Sequence, residues 1–487
     1  MKILLEMRPA LDGHAGIPQE ARLLFRGLRM IDGLEVEGLI QSSGRVLAKG
    51  LPANEAAAKG MPVHKQLNRL SRVVISTRND LYNVYLAAVR MALYRMLGGS
   101  EALARFDATH FKDFIWRSLF ARTLHADDFD IVTKAGYRLA RVPWTAMHRC
   151  ALLTRHFGYP LYPRLNTSDF DVMIAETPYP GTVSARTKLV VRYHDAIPVL
   201  MPHTISDKNY HQASHYHALR KNVESGAWFA CVSEATRSDL LSLFPEVVSR
   251  SVTIHNMVSH HYFSEESSAA GVPEIVRTRL SESIKYTNKD VFGGPSHAGE
   301  GAFNYLLIVS TIEPRKNHAT LLAAWEHLRA EQFPNLKLVI VGMLGWDHKA
   351  IVRKFRPWIE RGQLFVLEDV PSPELRVLYK HARATVCPSF GEGFDFSGVE
   401  AMRCGGAVVA SDIAVHREIY ADAAEYFSPY STIGLIAALE HVIGTSSAPR
   451  RAELVSTGAE ISMQYLPERV LPKWQAFLQS LQSKPSI

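Results

Sequence analysis

Short runs of Val, Ile, Leu and Ala recur along the 487-residue chain, each followed by a polar turn and then by apolar residues at helical spacing. Such runs, bounded by turn signals, read as buried strands, and their alternation with helical stretches points to parallel sheets covered by helices. The pattern occupies two zones. In the first, strands are expected at Lys2–Met7, Asp171–Ala175, Leu189–Tyr193, Trp228–Val232 and Val252–His255. In the second they are expected at Tyr305–Ser310, Leu336–Gly342, Ala384–Pro388 and Ala407–Ser411, with a short one at Glu425–Phe427. Two α/β domains follow, as the length also requires, since one hydrophobic core rarely grows past about 250–300 residues.

Ser264 to Phe303 is rich in Ser, Gly, Pro and charge and reads as a connector with one helical stretch around Glu274–Ser283. The expected division is a first domain over 1–265, a linker over 266–303 and a second domain over 304–464, followed by a terminal helix at Tyr465–Leu481. Within the first domain, Lys59 to His125 looks like an inserted block, with apolar residues at helical spacing, basic residues interleaved and few strand signals. Its densest part, Leu81–Leu97, carries Arg90 and Arg95 inside it and reads as a buried or interfacial helix, not a spanning one. The opening MKILLEMRPALDG breaks into charge too soon for a secretory signal and reads as a first buried strand.

Composition sharpens this picture in two respects. Apolar residues make 47% and charged residues 21%, which excludes disorder, and the net charge of +7 invites an anionic partner: nucleic acid, a lipid surface or a phosphorylated substrate. That excess is local, because the block from Lys59 to His125 holds eleven Lys or Arg against four Asp or Glu while the rest of the chain balances. Such a block suits a face resting on anionic lipid, or an ordinary helical cap with a solvated basic side. The four cysteines, Cys150, Cys231, Cys387 and Cys404, have no zinc-like or redox-pair spacing and fit a reducing, cytoplasmic compartment. No zinc-finger or RNP motif points to nucleic acid, and no GxGxxG fingerprint points to a dinucleotide enzyme.

Chemistry concentrates in Pro388–Asp412, PSFGEGFDFSGVEAMRCGGAVVASD. A strand ends at Pro388–Ser389, a loop with Gly391 and Gly393 follows, then a helix from about Ser397 to Cys404 and another buried strand. Amides at a helix start attract anions, and ligands of open α/β sheets sit at strand carboxyl ends. Glu392 opens the loop and Glu400 follows with seven residues between; two carboxylates so placed can accept hydroxyl hydrogen bonds at opposite ends of a polyol-bearing ligand. After the strand YLLIVS comes Glu313-Pro314-Arg315-Lys316-Asn317, whose adjacent cations suit a diphosphate that gains charge as it leaves. Taken singly, each feature has a plain alternative as solvated acids or a solvated cation pair.

Together these residues resemble the retaining glycosyltransferases of the GT-B fold, glycosyltransferase family 4, whose motif of two Glu separated by seven residues is matched by Glu392-Gly393-Phe394 and Glu400-Ala401-Met402. The resemblance implies two Rossmann-like domains with parallel sheets facing a cleft, and a C-terminal helix, within 465–487 here, that crosses back to complete the first. It implies that Glu392 and the backbone at Gly393, Phe394 and Asp395 face the donor hexose, that Glu400 binds the ribose, and that Lys316 and the amides after Gly391 meet the diphosphate. Arg315 substitutes for an Arg that relatives carry near position 311, where this chain has Thr. Looser matches put Gly342 in a turn where a nucleotide needs close backbone approach, and Gly16, within Asp12–Ile17, in a loop adjoining acceptor and donor phosphate. In Arg192-Tyr193-His194-Asp195, His194 lies near the reacting sugar and Asp195 orients it or caps the next turn. Asp395 and Phe396 depart from the commoner Gly and apolar residue, and Gly406-Ala407 from Thr-Pro.

The composite of EGFDFSGVEAM and EPRKN looks most like bacterial polysaccharide transferases, among them mannosyl enzymes of O-antigen and capsule pathways. The resemblance therefore implies transfer of mannose or a deoxyhexose from a GDP-sugar, with retention, to a glycan or lipid-linked saccharide. No metal or other cofactor is expected, the nucleotide sugar being a co-substrate. A UDP- or dTDP-sugar donor, an inactive GT-B scaffold that binds a nucleotide or a partner transferase, and a purely membrane- or nucleic-acid-binding protein are the alternatives.

Overall fold

The computed structural model describes residues 1–13, 16–52, 61–77, 84–155, 160–205, 208–281 and 303–482. His14 and Ala15 of the glycine turn, parts of the basic block and most of the expected linker lie outside the described residues. The chain divides into two compact units, one of residues 1–200, 207–259 and 470–487, the other of residues 201–206 and 260–469.

The first unit is built on β1 (Lys2–Glu6), β2 (Glu35–Ile40), β3 (Glu101–Ala102), β4 (Ala104–Phe106), β5 (Gly136–Leu139), β6 (Leu165–Asn166), β7 (Val172–Ala175), β8 (Lys188–Tyr193), β9 (Trp228–Cys231) and β10 (Ser251–Thr253). Eight of them form one sheet in the order β10-β9-β8-β7-β1-β2-β5-β4, parallel except for β4 against β5, while β3 and β6 pair separately. Side chains alternate across a strand, so on β1 Ile3 and Leu5 enter one apolar layer and Leu4 the other. Trp474, Phe477, Leu478 and Leu481 of the terminal helix Pro467–Gln482 complete the layer of Ile3 and Leu5. Trp474 is fully buried, with the Arg192 guanidinium 5.3 Å from its ring centroid. Residues 470–482 thus belong to the first unit.

In the second unit β11 (Tyr305–Val309), β12 (Lys337–Val341), β13 (Leu364–Leu367), β14 (Ala384–Cys387), β15 (Val408–Ser411) and β16 (Ala424–Phe427) form an all-parallel sheet in the order β13-β12-β11-β14-β15-β16. β13, β14 and β15 are buried at every residue, which is why they read as continuous apolar runs and not as alternation. From β11 the chain moves to β12 and β13 on one side and then returns to β14 on the other. β11 and β14 therefore flank the point where the strand order reverses, where open parallel sheets bind ligands at the carboxyl edge, and β1 with β7 repeats this arrangement in the first unit.

Some expectations need correction. β2, β4, β5 and β13 were not foreseen, and the basic block holds β3 and β4 as well as helices. Over its described residues the expected linker is structured: the helix Val272–Thr278 buries Val272 and Val276, and Arg279 forms a two-point ion pair with Glu374 at 2.6 and 2.7 Å. Ser281 N–H donates to Val366 O at 2.8 Å, so residues 266–281 belong to the second unit.

Candidate active site

After β11 the chain makes a short 3-10 turn, Pro314–Lys316, which Asn317 ends in the left-handed region at φ 56°. Asn tolerates that conformation, and its side-chain amide donates to Pro388 O at 3.0 Å and Pro429 O at 2.9 Å. The loop after β11 is thereby fastened to the loop after β14. A second tie comes from Phe390 N–H to Arg315 O at 3.0 Å, and a third from Arg315 Nη1 to Gly391 O at 2.6 Å.

These ties bring together Arg315, Lys316, Gly391 and Glu392. The Glu392 carboxylate takes Lys316 Nζ at 2.6 Å on one oxygen and Arg315 Nη1 at 2.8 Å on the other. Arg315 also pairs with the buried Glu313 at 2.9 Å. Burial alone would raise the pKa of Glu392, but the charges of Arg315 and Lys316 outweigh it and hold the carboxyl below its ordinary range. Glu313, with burial the larger effect, is shifted up. Two cations and an ionised carboxylate thus stand at the switch point of the sheet.

Asp395 starts the helix Phe396–Arg403 at φ 61°, its carboxylate accepting from Ser397 Oγ at 2.6 Å and lying 3.2 Å from His416 Nε2. His416 Nδ1 lies 2.9 Å from Ser411 O, while the Ser411 hydroxyl donates to Ser389 O at 2.6 Å. Burial opposes ionisation of Asp395, but the His416 hydrogen bond and the charges of Lys316 and His416 keep its pKa far below normal. The Asp395 side chain is therefore committed to the protein, and its backbone is what the loop has to offer. Phe394 is buried against Phe396 and Tyr465, each at 5.2 Å, and Gly393 is half-buried beside it.

Glu400 is buried on the same helix, where Tyr379 Oη donates to its Oε2 at 3.1 Å and Tyr262 also bonds the carboxyl. Tyr379 therefore fixes this carboxylate. Gly342 follows β12, and a Cβ there would stand 2.0 Å from Ser310 O, so the close approach that requires glycine is made by the chain's own backbone.

In the first unit, Glu6 ends β1 while Glu176 and His194 directly follow β7 and β8, three neighbouring parallel strands. Glu6 Oε2 accepts from Glu176 N–H at 2.9 Å, and Glu6 Oε1 from Arg8 Nε at 2.6 Å. His194 Nε2 lies 3.4 Å from Glu176 Oε2. Burial pushes Glu176 up to about 8, while burial and then Arg192 hold His194 down to about 4. At neutral pH the proton therefore resides on Glu176, which faces an uncharged imidazole. Asp195 does not orient His194: its Oδ1 accepts from Ile197 N–H at 3.0 Å, capping the next turn. Gly16, at φ 69°, precedes the helix Ile17–Arg29 and supplies the carbonyl that Glu20 N–H bonds at 3.0 Å. Glu20 in turn pairs with Arg192 at 2.9 Å, both fully buried.

Sequence reasoning missed Glu176, Glu6 and His416, which lie far in sequence from the groups they serve. One signal was available: an acid directly after an apolar strand, as in KILLE and VMIAE, stands where parallel sheets bind ligands.

Residues 295–457 match the family model described as glycosyl transferases group 1. Over 206 residues the chain is 31% identical to O-antigen chain mannosyltransferase B of Escherichia coli, a match covering 42% of this chain and 49% of that relative, so it spans about half the relative's length. Sucrose-phosphate synthase of Thermosynechococcus elongatus superposes with a TM-score of 0.56 at 14% identity, covering 99% of both chains. Anabaena HepE, in a complex with UDP, gives 0.54 at 14% identity over 99% of this chain and 100% of its own. The chain thus has the GT-B fold, matches the group 1 glycosyl transferase model over residues 295–457 and resembles O-antigen mannosyltransferases.

Proposed function

We propose that the chain is a retaining hexosyltransferase of O-antigen or related surface-polysaccharide synthesis, moving mannose or a deoxyhexose from a GDP-sugar to a glycan or lipid-linked saccharide. The observation that carries this reading is the grouping of Arg315, Lys316 and Glu392 at the switch point between β11 and β14. The cations neutralise the diphosphate as the bond between anomeric carbon and phosphate oxygen breaks, and the amides after Gly391 add to this. Glu392 then faces the hexose and Glu400 the ribose. Attack comes from the face the leaving group quits, and the departing phosphate takes the acceptor's proton. His194, uncharged at neutral pH, meets the reacting sugar as a hydrogen-bonding group, with Gly16 in the loop beside the acceptor.

Mannose is favoured by the E. coli relative's name, and a UDP-sugar is the second reading because HepE was solved with UDP. The reading needs no resident metal, so a chelator leaves the rate unchanged; loss of transfer with EDTA, restored by a divalent cation, would refute this part. It places the protein in the cytoplasm, where its four cysteines stay free, as they are here. Lys316→Ala and Glu392→Ala should each lower transfer by about 100-fold or more while the protein stays folded. Unchanged turnover in both variants would overturn the site assignment.

A further inference from the structure

We infer that the outward face of the helix Val84–Met96 is a docking surface for an anionic lipid bilayer. Apart from Arg90 and Arg95 the helix carries only apolar and aromatic residues. Its inner face places Ala88, Met91 and Ala92 in a core layer with Ala146, Met147 and Cys150 of the helix Trp144–Thr154. The opposite face carries Leu86, Val89 and Leu93 at helical spacing, with Met96 and, just past the end, Leu97. These are exposed at 64%, 48%, 55%, 60% and 86%, where a helix on a water-facing surface normally presents polar groups. The preceding helix Val63–Ser76 likewise exposes Val63 and Ile75.

Charge selects the occupant. Between Met61 and Ser100 the sequence has Lys65, Arg69, Arg72, Arg78, Arg90 and Arg95 against the single acid Asp80. Lys65, Arg72 and Arg90 are exposed. An apolar face set among cations with almost no acids matches the acyl boundary and headgroups of an anionic leaflet. Among the described residues no helix is long and apolar enough to cross a membrane, so the contact lies in the interface plane. This goes beyond the transfer site and does not depend on it.

The test is co-sedimentation of the full chain with phosphatidylcholine vesicles containing phosphatidylglycerol, and with phosphatidylcholine alone. Binding to the anionic vesicles should fall with added salt. It should drop about tenfold or more in the double variant Leu93→Glu/Leu97→Glu and again in Arg72→Glu/Arg90→Glu. All four positions are exposed, so circular dichroism should match the wild type. Absence of sedimentation, or binding that survives in both double variants, overturns the proposal. So does a dimer in gel filtration that Leu93→Glu/Leu97→Glu abolishes without any vesicle binding, which would give the face to a second copy of the chain.

Discussion

Glu392 and Glu176 show how differently two buried carboxyls can be used. Glu392 meets Lys316 and Arg315 and stays ionised, because the two cations outweigh the cost of its burial. Glu176 faces a neutral His194 and retains its proton up to about pH 8. Unfolded, Glu176 would ionise near its ordinary 4.5, so the folded state binds more protons between these values. The stability it supports is complete below pH 4.5 and is lost as pH rises through about 8. Glu176→Gln, neutral at every pH, should flatten the decline of the first unit's melting temperature between pH 4.5 and about pH 8. Identical slopes in variant and wild type would show that Glu176 is ionised throughout. At this scale the candidates Lys316, Glu392, Glu400 and His194 could be named from the sequence because they match a family's motifs. Their partners Glu176, His416 and Tyr379 could not, because only the fold brings them within reach.

Among the elements, legibility followed burial. β1, β7, β8, β11, β12, β14 and β15 are apolar runs closed by polar turns and were read within a few residues. β2 (EVEGLI) and β5 (GYRL) mix charge and glycine with few apolar residues, and the edge strand β4 has only three residues, so no period can emerge. β13 (LFVL) lies just beyond the helix Lys349–Glu360, where four apolar residues are indistinguishable from further helix. The turn after β12 carries the sharpest prediction at this scale. Gly342→Ala would put a methyl 2.0 Å from Ser310 O, which the carboxyl ends of β11 and β12 must part to accept. We expect a loss of about 1–3 kcal/mol in the second unit, read as a lower melting temperature. A variant as stable as wild type would mean that the two loops are not held at this spacing.

Across the whole molecule, chemistry and charge are separated. The cations of the remainder of the sequence balance its acids, while the excess of +7 falls between Lys59 and His125 in the first unit. The cluster of Arg315, Lys316 and Glu392, in contrast, lies in the second unit, on residues that match the glycosyl transferase model. Net charge therefore says little about the donor, and Arg315, Lys316 and Glu392 say most. The most direct measurement is calorimetric titration of the protein with GDP-, UDP- and dTDP-sugars, repeated on Lys316→Ala. The account predicts that GDP-mannose or a GDP-deoxyhexose binds best and that Lys316→Ala weakens it about tenfold or more. If no nucleotide sugar binds, or if Lys316→Ala binds as the wild type does, the site described here is not a donor site.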